Sequence, residues 1–141
     1  MFSRILVGFD GSEGSWKALR VALALARLSA GAEVWALSVE EGLPHLSETI
    51  DEFAEEKERQ NAIFQLLHGQ ASALAAEEGV DLKVRVVAGH PAQALVRFAE
   101  QGGFDLLVIG HSGRSGIWGT FLGSTADKIV RHAKCSVLVV R

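Results

Sequence analysis

The sequence has almost no cysteine, with Cys135 the single one in 141 residues. A lone cysteine excludes an intrachain disulfide framework and suits a reducing compartment, so the expected location is the cytoplasm. Long apolar runs are missing as well. None approaches the roughly 20 residues that cross a bilayer, and the opening Met1-Phe2-Ser3-Arg4-Ile5 lacks the apolar stretch and cleavage site of a signal peptide. Nor is there an excess of positive charge. A formal net charge of −3 supplies no broad basic field for many phosphates, which argues against nonspecific nucleic-acid binding. One nucleotide asks for much less, because a few backbone amides hold it locally.

Several catalytic signatures are also absent. No G-x-x-x-x-G-K-[ST] phosphate loop occurs, and Gly8-Phe9-Asp10-Gly11 lacks the G-x-G of a dinucleotide fingerprint. Neither a P-loop NTPase nor a standard dehydrogenase fits. Ser112, Ser115 and Ser124 stand outside any G-x-S-x-G elbow, and hydroxyls donating to phosphate are the better reading of them. His45, His68, His90, His111 and His132 are scattered without metal-ligand spacing, so a zinc site is not expected.

What remains is a regular alternation within one domain spanning residues 1–141. Hydrophobic residues make up 48% of the chain and charged ones 22%, close to globular averages. Ile5 to Asp10 is a short apolar run ending in a turn and helix start, Asp10-Gly11-Ser12. Leu19, Ala22, Leu23 and Ala26 then recur at helical spacing before a second run from Glu33 to Val39. After an acidic, irregular stretch around Pro44, Thr49 and Glu52 form a capping-box pair opening a long helix, with Phe64, Leu67, Ala71, Leu74 and Ala75 on its apolar side. Gly69 is a place where that helix would kink or loosen, and Gly79 ends it. Glu52, Glu55, Glu56 and Glu58 read as a solvated face.

Leu82 to Val87 reads as a strand, Pro91 to Gln101 as a helix, and Asp105 to Ile109 as a fourth strand. Ala126, Ile129, Val130 and Ala133 mark a last short helix before the strand Val137 to Val140. The order β-α-β-α-β-α-β-α-β predicts an α/β fold: an open, doubly wound, five-stranded parallel sheet with helices on both faces. Ligands in such sheets bind beyond the carboxyl ends of the strands, where strand order reverses. That directs attention to Gly8–Ser12, to Val39, and to the loop from Gly110.

This loop carries Gly110, Gly113, Gly116, Gly119 and Gly123 before Ser124-Thr125 open a helix. Glycine lets backbone approach a ligand without a Cβ clash, and a helix start adds unpaired amides and the positive end of a dipole. A phosphate is the natural guest. The spacing Gly110-x2-Gly113-x9-Gly123-Ser124 resembles the nucleotide-binding signature of ATP-binding universal stress proteins. The likeness extends to Arg4-Ile5-Leu6-Val7-Gly8-Phe9-Asp10-Gly11-Ser12, to Gly89-His90-Pro91-Ala92, and to Arg131-His132-Ala133-Lys134-Cys135-Ser136-Val137-Leu138-Val139-Val140. It departs only at Ser136, where the family often has proline.

The resemblance implies a Rossmann-like fold of the adenine nucleotide alpha hydrolase type, and a UspA-like regulatory or stress-response protein. It implies that Gly8, Phe9 and Asp10 meet adenosine, that Val39 offers backbone hydrogen bonds to adenine, and that Gly110, Gly113, Gly123, Ser124 and Thr125 hold phosphates. Ile109, at the strand end, and Arg114, in the loop, complete the expected site. The ligand is then ATP, ADP or AMP, with Mg²⁺ balancing the charge. Asp10 accepts hydrogen bonds from ribose hydroxyls or helps hold the metal; the sequence leaves both open. Binding is favoured over turnover, with slow ATP hydrolysis or a module that binds no nucleotide as alternatives. His111 either touches the ligand or faces solvent. Trp16, Trp35 and Trp118 read as core or interface residues more readily than as base-stacking ones, with Trp118, in the loop, the exception that either lies on a partner or covers the site. The apolar strand Val137–Val140, if it lies at a sheet edge, favours a homodimer, which the resemblance also implies.

Overall fold

The computed structural model describes residues 1–41, 49–111 and 122–141. Its elements alternate without exception: β1 (Arg4–Gly8), α1 (Glu13–Leu28), β2 (Glu33–Glu40), α2 (Ile50–Glu77), β3 (Leu82–Ala88), α3 (Pro91–Gln101), β4 (Leu106–Gly110), α4 (Ser124–His132) and β5 (Ser136–Val140). The strands form one all-parallel sheet in the order β3-β2-β1-β4-β5. None of the helices of the described residues is long and apolar enough to cross a membrane.

Parallel strands covered on both faces are apolar at consecutive positions, and Ile5, Leu6 and Val7 are all fully buried. Ile5 and Val7 join Val34, Ala36 and Val108 under α1 and α2, whereas Leu6 joins Leu37, Leu107 and Ile109 under α3 and α4. Burying each such side chain contributes about 1.5–3 kcal/mol before the cost of ordering the chain.

The helix limits follow from local chemistry. Ser12 caps α1 by accepting from the Ser15 N–H at 3.2 Å, and the Asp10 carboxylate accepts from the Ser12 N–H at 2.9 Å. Thr49 and Glu52 form the expected capping box of α2. Gly69 does not interrupt that helix, which runs unbroken from Ile50 to Glu77. Gly79, at φ +73°, turns the chain after it.

The two ends of the sheet are built differently. At the amino end Asp105 pins β4 to β1 by accepting from the Ser3 N–H at 2.9 Å and the Arg4 N–H at 3.0 Å, while Glu33 pairs with both Arg4 and Lys83. At the carboxyl end β1 and β4 part. Their pairing stops at Val7 and Val108, and because β1 precedes β2 on one side and β4 lies on the other, the reversal of strand order falls there.

Candidate functional site

A cavity of about 650 Å³ opens where β1 and β4 diverge. That lies within the range of small-molecule sites. Its floor is apolar, formed by Leu37, Leu95, Ile109 and Ile129, and its rim is polar, with Asp10, Ser12, Glu40, Ser124 and Thr125. Gly8, Phe9, Asp10, Val39, Ile109, Gly110, Gly123, Ser124 and Thr125, all expected at the site, line this one cavity. Gly113 and Arg114, like His45, Ser112, Ser115 and Trp118, lie outside the described residues.

Val39 is placed by strand geometry. Along a parallel strand, successive residues turn their N–H and C=O groups to alternate neighbours. The Leu37 carbonyl accepts from Phe9 N–H at 2.9 Å, toward β1, and the Glu40 carbonyl accepts from Gly89 N–H at 3.0 Å, on the β3 side. Val39 therefore faces the side of β1. There β1 has already ended, with its last paired residue Gly8 opposite Leu37. The Phe9 carbonyl, the next acceptor along, is taken by the Ser38 hydroxyl at 2.6 Å. The Val39 backbone donor and acceptor thus look into the crevice beyond β1.

Two helices start at this edge of the crevice, and they differ. At the α1 amino terminus the Ser12 side chain takes the Ser15 N–H and the Asp10 carboxylate takes the Ser12 N–H. The α4 terminus begins at Gly123, which has no side chain to cap it, and the first bond of the helix is Asp127 N–H to Gly123 C=O at 2.8 Å. The amides of Ser124, Thr125 and Ala126 thus precede the first intrahelical donor and lie at the cavity wall. The Gly123 N–H donates to the His111 carbonyl at 3.0 Å, and the His111 N–H to Val140 C=O at 2.8 Å, so the two ends of the glycine-rich stretch are held together.

Gly110 has a structural reason beyond ligand approach. A Cβ there would lie 2.8 Å from the carbonyl carbon of Gly14, so the start of α1 sits directly against the end of β4. Gly11, at φ +82°, serves similarly, since a Cβ would meet Leu67 of α2 at 2.7 Å.

The structure settles the alternative left open for His111 and adds a wall from α2 that the sequence does not place at the site. His111 is 8% exposed and lines the cavity, so it is not a solvent-facing loop residue. Gln60, Ile63 and Phe64 bring α2 over the site as a third wall. Trp16 packs edge-on against Phe9 at 4.9 Å between ring centres and Trp35 against Phe98 and Phe104, and neither lines the cavity. His68 is buried, its Nε2 2.8 Å from the Ser38 hydroxyl, and burial holds its pKa below the usual value. Among the described residues no three His, Cys, Asp or Glu side chains come together as a metal cage.

The profile of the universal stress protein family matches residues 1–141. The universal stress protein YxiE of Bacillus subtilis is 34% identical over 151 residues, covering 100% of both chains. Among solved structures, the universal stress protein UspA of Lactobacillus plantarum superposes with a TM-score of 0.88 at 27% identity, over 99% of this chain and 97% of that one. A universal stress protein solved in complex with cAMP gives a TM-score of 0.77 at 31% identity, over 99% and 97%.

Proposed function

We propose that this chain, which belongs to the universal stress protein family, binds an adenine nucleotide, ATP first among them, as a regulatory protein of the cytoplasm. The observation that carries this reading is the contrast between the two helix starts: α1 is capped by its own side chains, and α4 presents uncapped amides to a nucleotide-sized cavity. A phosphate satisfies those amides and interacts favourably with the helix dipole. The base fits the other end, where the Val39 N–H and C=O offer a donor and an acceptor side by side above the apolar floor of Leu37 and Leu95. The neighbour solved with cAMP is in keeping with a ligand of this class.

Magnesium would arrive with the triphosphate. Mg²⁺ commonly takes one or two protein carboxylates, substrate phosphates and water, so no cage of side chains is needed; Asp10, at the rim, would supply a carboxylate. Gly113 and Arg114 are proposed to complete the phosphate end. The same reading includes a homodimer through the edge strand β5, whose residues Val137 to Val140 are only partly covered.

Calorimetric titration of the purified protein with ATP, ADP, AMP and cAMP tests the proposal. Binding of at least one of them is expected, and Gly123→Val, which puts bulk at the phosphate end, should abolish it. A wild-type protein that binds none of the four overturns the reading. Steady-state ATP turnover at about 1 s⁻¹ or faster would replace a binding protein with an enzyme.

A further inference from the structure

The inward face of α2 follows helical spacing through Phe53, Gln60, Phe64, Leu67, Ala71 and Ala75. At this spacing a helix packed on a sheet normally carries apolar residues. His68, also on this face, is buried and polar, and its need is met within the fold by Ser38. Gln60 is different. Its Oε1 is buried and has no hydrogen-bond partner among the described residues, although the residue lies on the cavity wall. An amide oxygen left unpaired away from water costs free energy, so native proteins rarely keep one without a use.

We infer that Gln60 reads the nucleobase, its amide oxygen accepting a hydrogen bond from the 6-amino group of adenine. The inference rests on the proposed binding of an adenine nucleotide and assigns a specificity-determining residue within it. An amino group carries two protons. The Val39 carbonyl facing the crevice takes one, which leaves the second for another acceptor. Gln60, on the lining of the same cavity, brings an unpaired amide oxygen, whereas the neighbouring Glu40 and Glu41 are carboxylates that need no such partner. The terminal torsion of glutamine is broad and roughly two-fold, and no internal hydrogen bond holds Oε1 where it is. Turning the amide toward a bound base therefore gains a partner without breaking one. The NH2 of the same amide can donate to an adjacent ring nitrogen, the pairing by which glutamine recognises adenine in other settings.

The test compares ATP with purine riboside 5′-triphosphate, which lacks only the 6-amino group, by titration calorimetry. Wild type, Gln60→Leu, Gln60→Met and Gln60→Glu are each measured with both ligands. Taking the ratio of affinities on one preparation cancels any general change in folding, charge or phosphate binding. Wild type should prefer ATP, and Gln60→Leu and Gln60→Met should cut that preference by about 3- to 10-fold, the worth of one hydrogen bond. Gln60→Glu keeps an acceptor and should keep the preference. If wild type binds ATP and the ratio is unchanged in Leu and Met variants, or both ligands weaken equally, Gln60 does not read the amine and only this inference fails. If wild type binds neither ligand, the nucleotide reading itself fails and takes the inference with it.

Discussion

The Ser38 hydroxyl and the His68 imidazole lie 2.8 Å apart in the core, and this contact fixes which ring nitrogen faces Ser38 as a donor. Ser38 has one proton, and it donates that proton to the Phe9 carbonyl at 2.6 Å. The partner nitrogen, Nε2, must therefore be the donor to Ser38. A neutral imidazole in the Nε2–H form satisfies this, and burial disfavours the cation. One hydroxyl thus joins α2 to the end of β1 where the adenosine is expected.

A pH dependence follows. The folded-state pKa of His68 is depressed by burial below its ordinary value near 6.5, so between those two values the unfolded chain binds more protons than the folded one. Stability is fully present above about pH 6.5 and is lost as pH falls through the folded pKa. Urea unfolding at pH 7.5 and at lower pH should show this loss in wild type and a smaller one in His68→Leu. An NMR titration placing His68 at or above 6.5 would contradict the assignment.

Gly110→Ala should cost roughly 1–3 kcal/mol of stability, the usual penalty of overpacking. The new Cβ would meet the backbone of Gly14 at 2.8 Å, and neither partner is a side chain that can swing away. Chemical denaturation checks it: a lower midpoint with an unchanged slope is expected. A variant as stable as wild type would mean that α1 shifts away freely.

Ser124→Ala should weaken ATP binding by about 0.5–3 kcal/mol if the hydroxyl donates to a phosphate beside the open amides of α4. Ser12→Ala, at the helix start that the Ser12 side chain caps, should act mainly on stability through the lost cap, about 1 kcal/mol. Parallel titration and thermal melts separate the two. Equal losses of ATP affinity in both variants would remove the distinction between the helix starts.

Val139→Pro should dissociate the proposed dimer while leaving the monomer folded. The His111 N–H bonds to Val140 C=O, so Val140 faces β4 and Val139, one residue earlier, turns its N–H to the free edge. Proline there removes only an outward donor, whereas Val140→Pro would break the ladder to β4. Sedimentation at micromolar concentration is the measurement, and a monomeric wild type sinks the dimer.

Much of the fold was legible because parallel strands buried on both faces write themselves as unbroken apolar runs, as in Ile5-Leu6-Val7. Thr49 with Glu52, and Gly79, marked the limits of α2 by local chemistry alone. The cavity's two strand ends and the α4 start were legible for the same reason, since glycines and hydroxyls at strand-to-helix turns have few other uses. The α2 wall was not. Its inward face carries Gln60 and His68 among the apolar residues, so periodicity there is diluted, and a glutamine's value depends on a cavity that exists only after α2 crosses the sheet. His111 was legible only as a choice between ligand and solvent, because its burial is set by its own backbone bonds to Val140 and Gly123. Gly110 was marked by its motif, but its contact with Gly14 joins residues that no local pattern connects.

The strand order leaves the sheet with two rims of unlike character. The β3 rim bears Lys83 and Arg85, and such charge blunts pairing, whereas the β5 rim is a run of valine and leucine. A molecule with one adhesive rim can be joined but not strung together. If two copies meet through β5 as proposed, each would offer the outside its β3 rim, where Lys83 and Arg85 work against further pairing, so assembly would halt at a pair and not run on into a fibre.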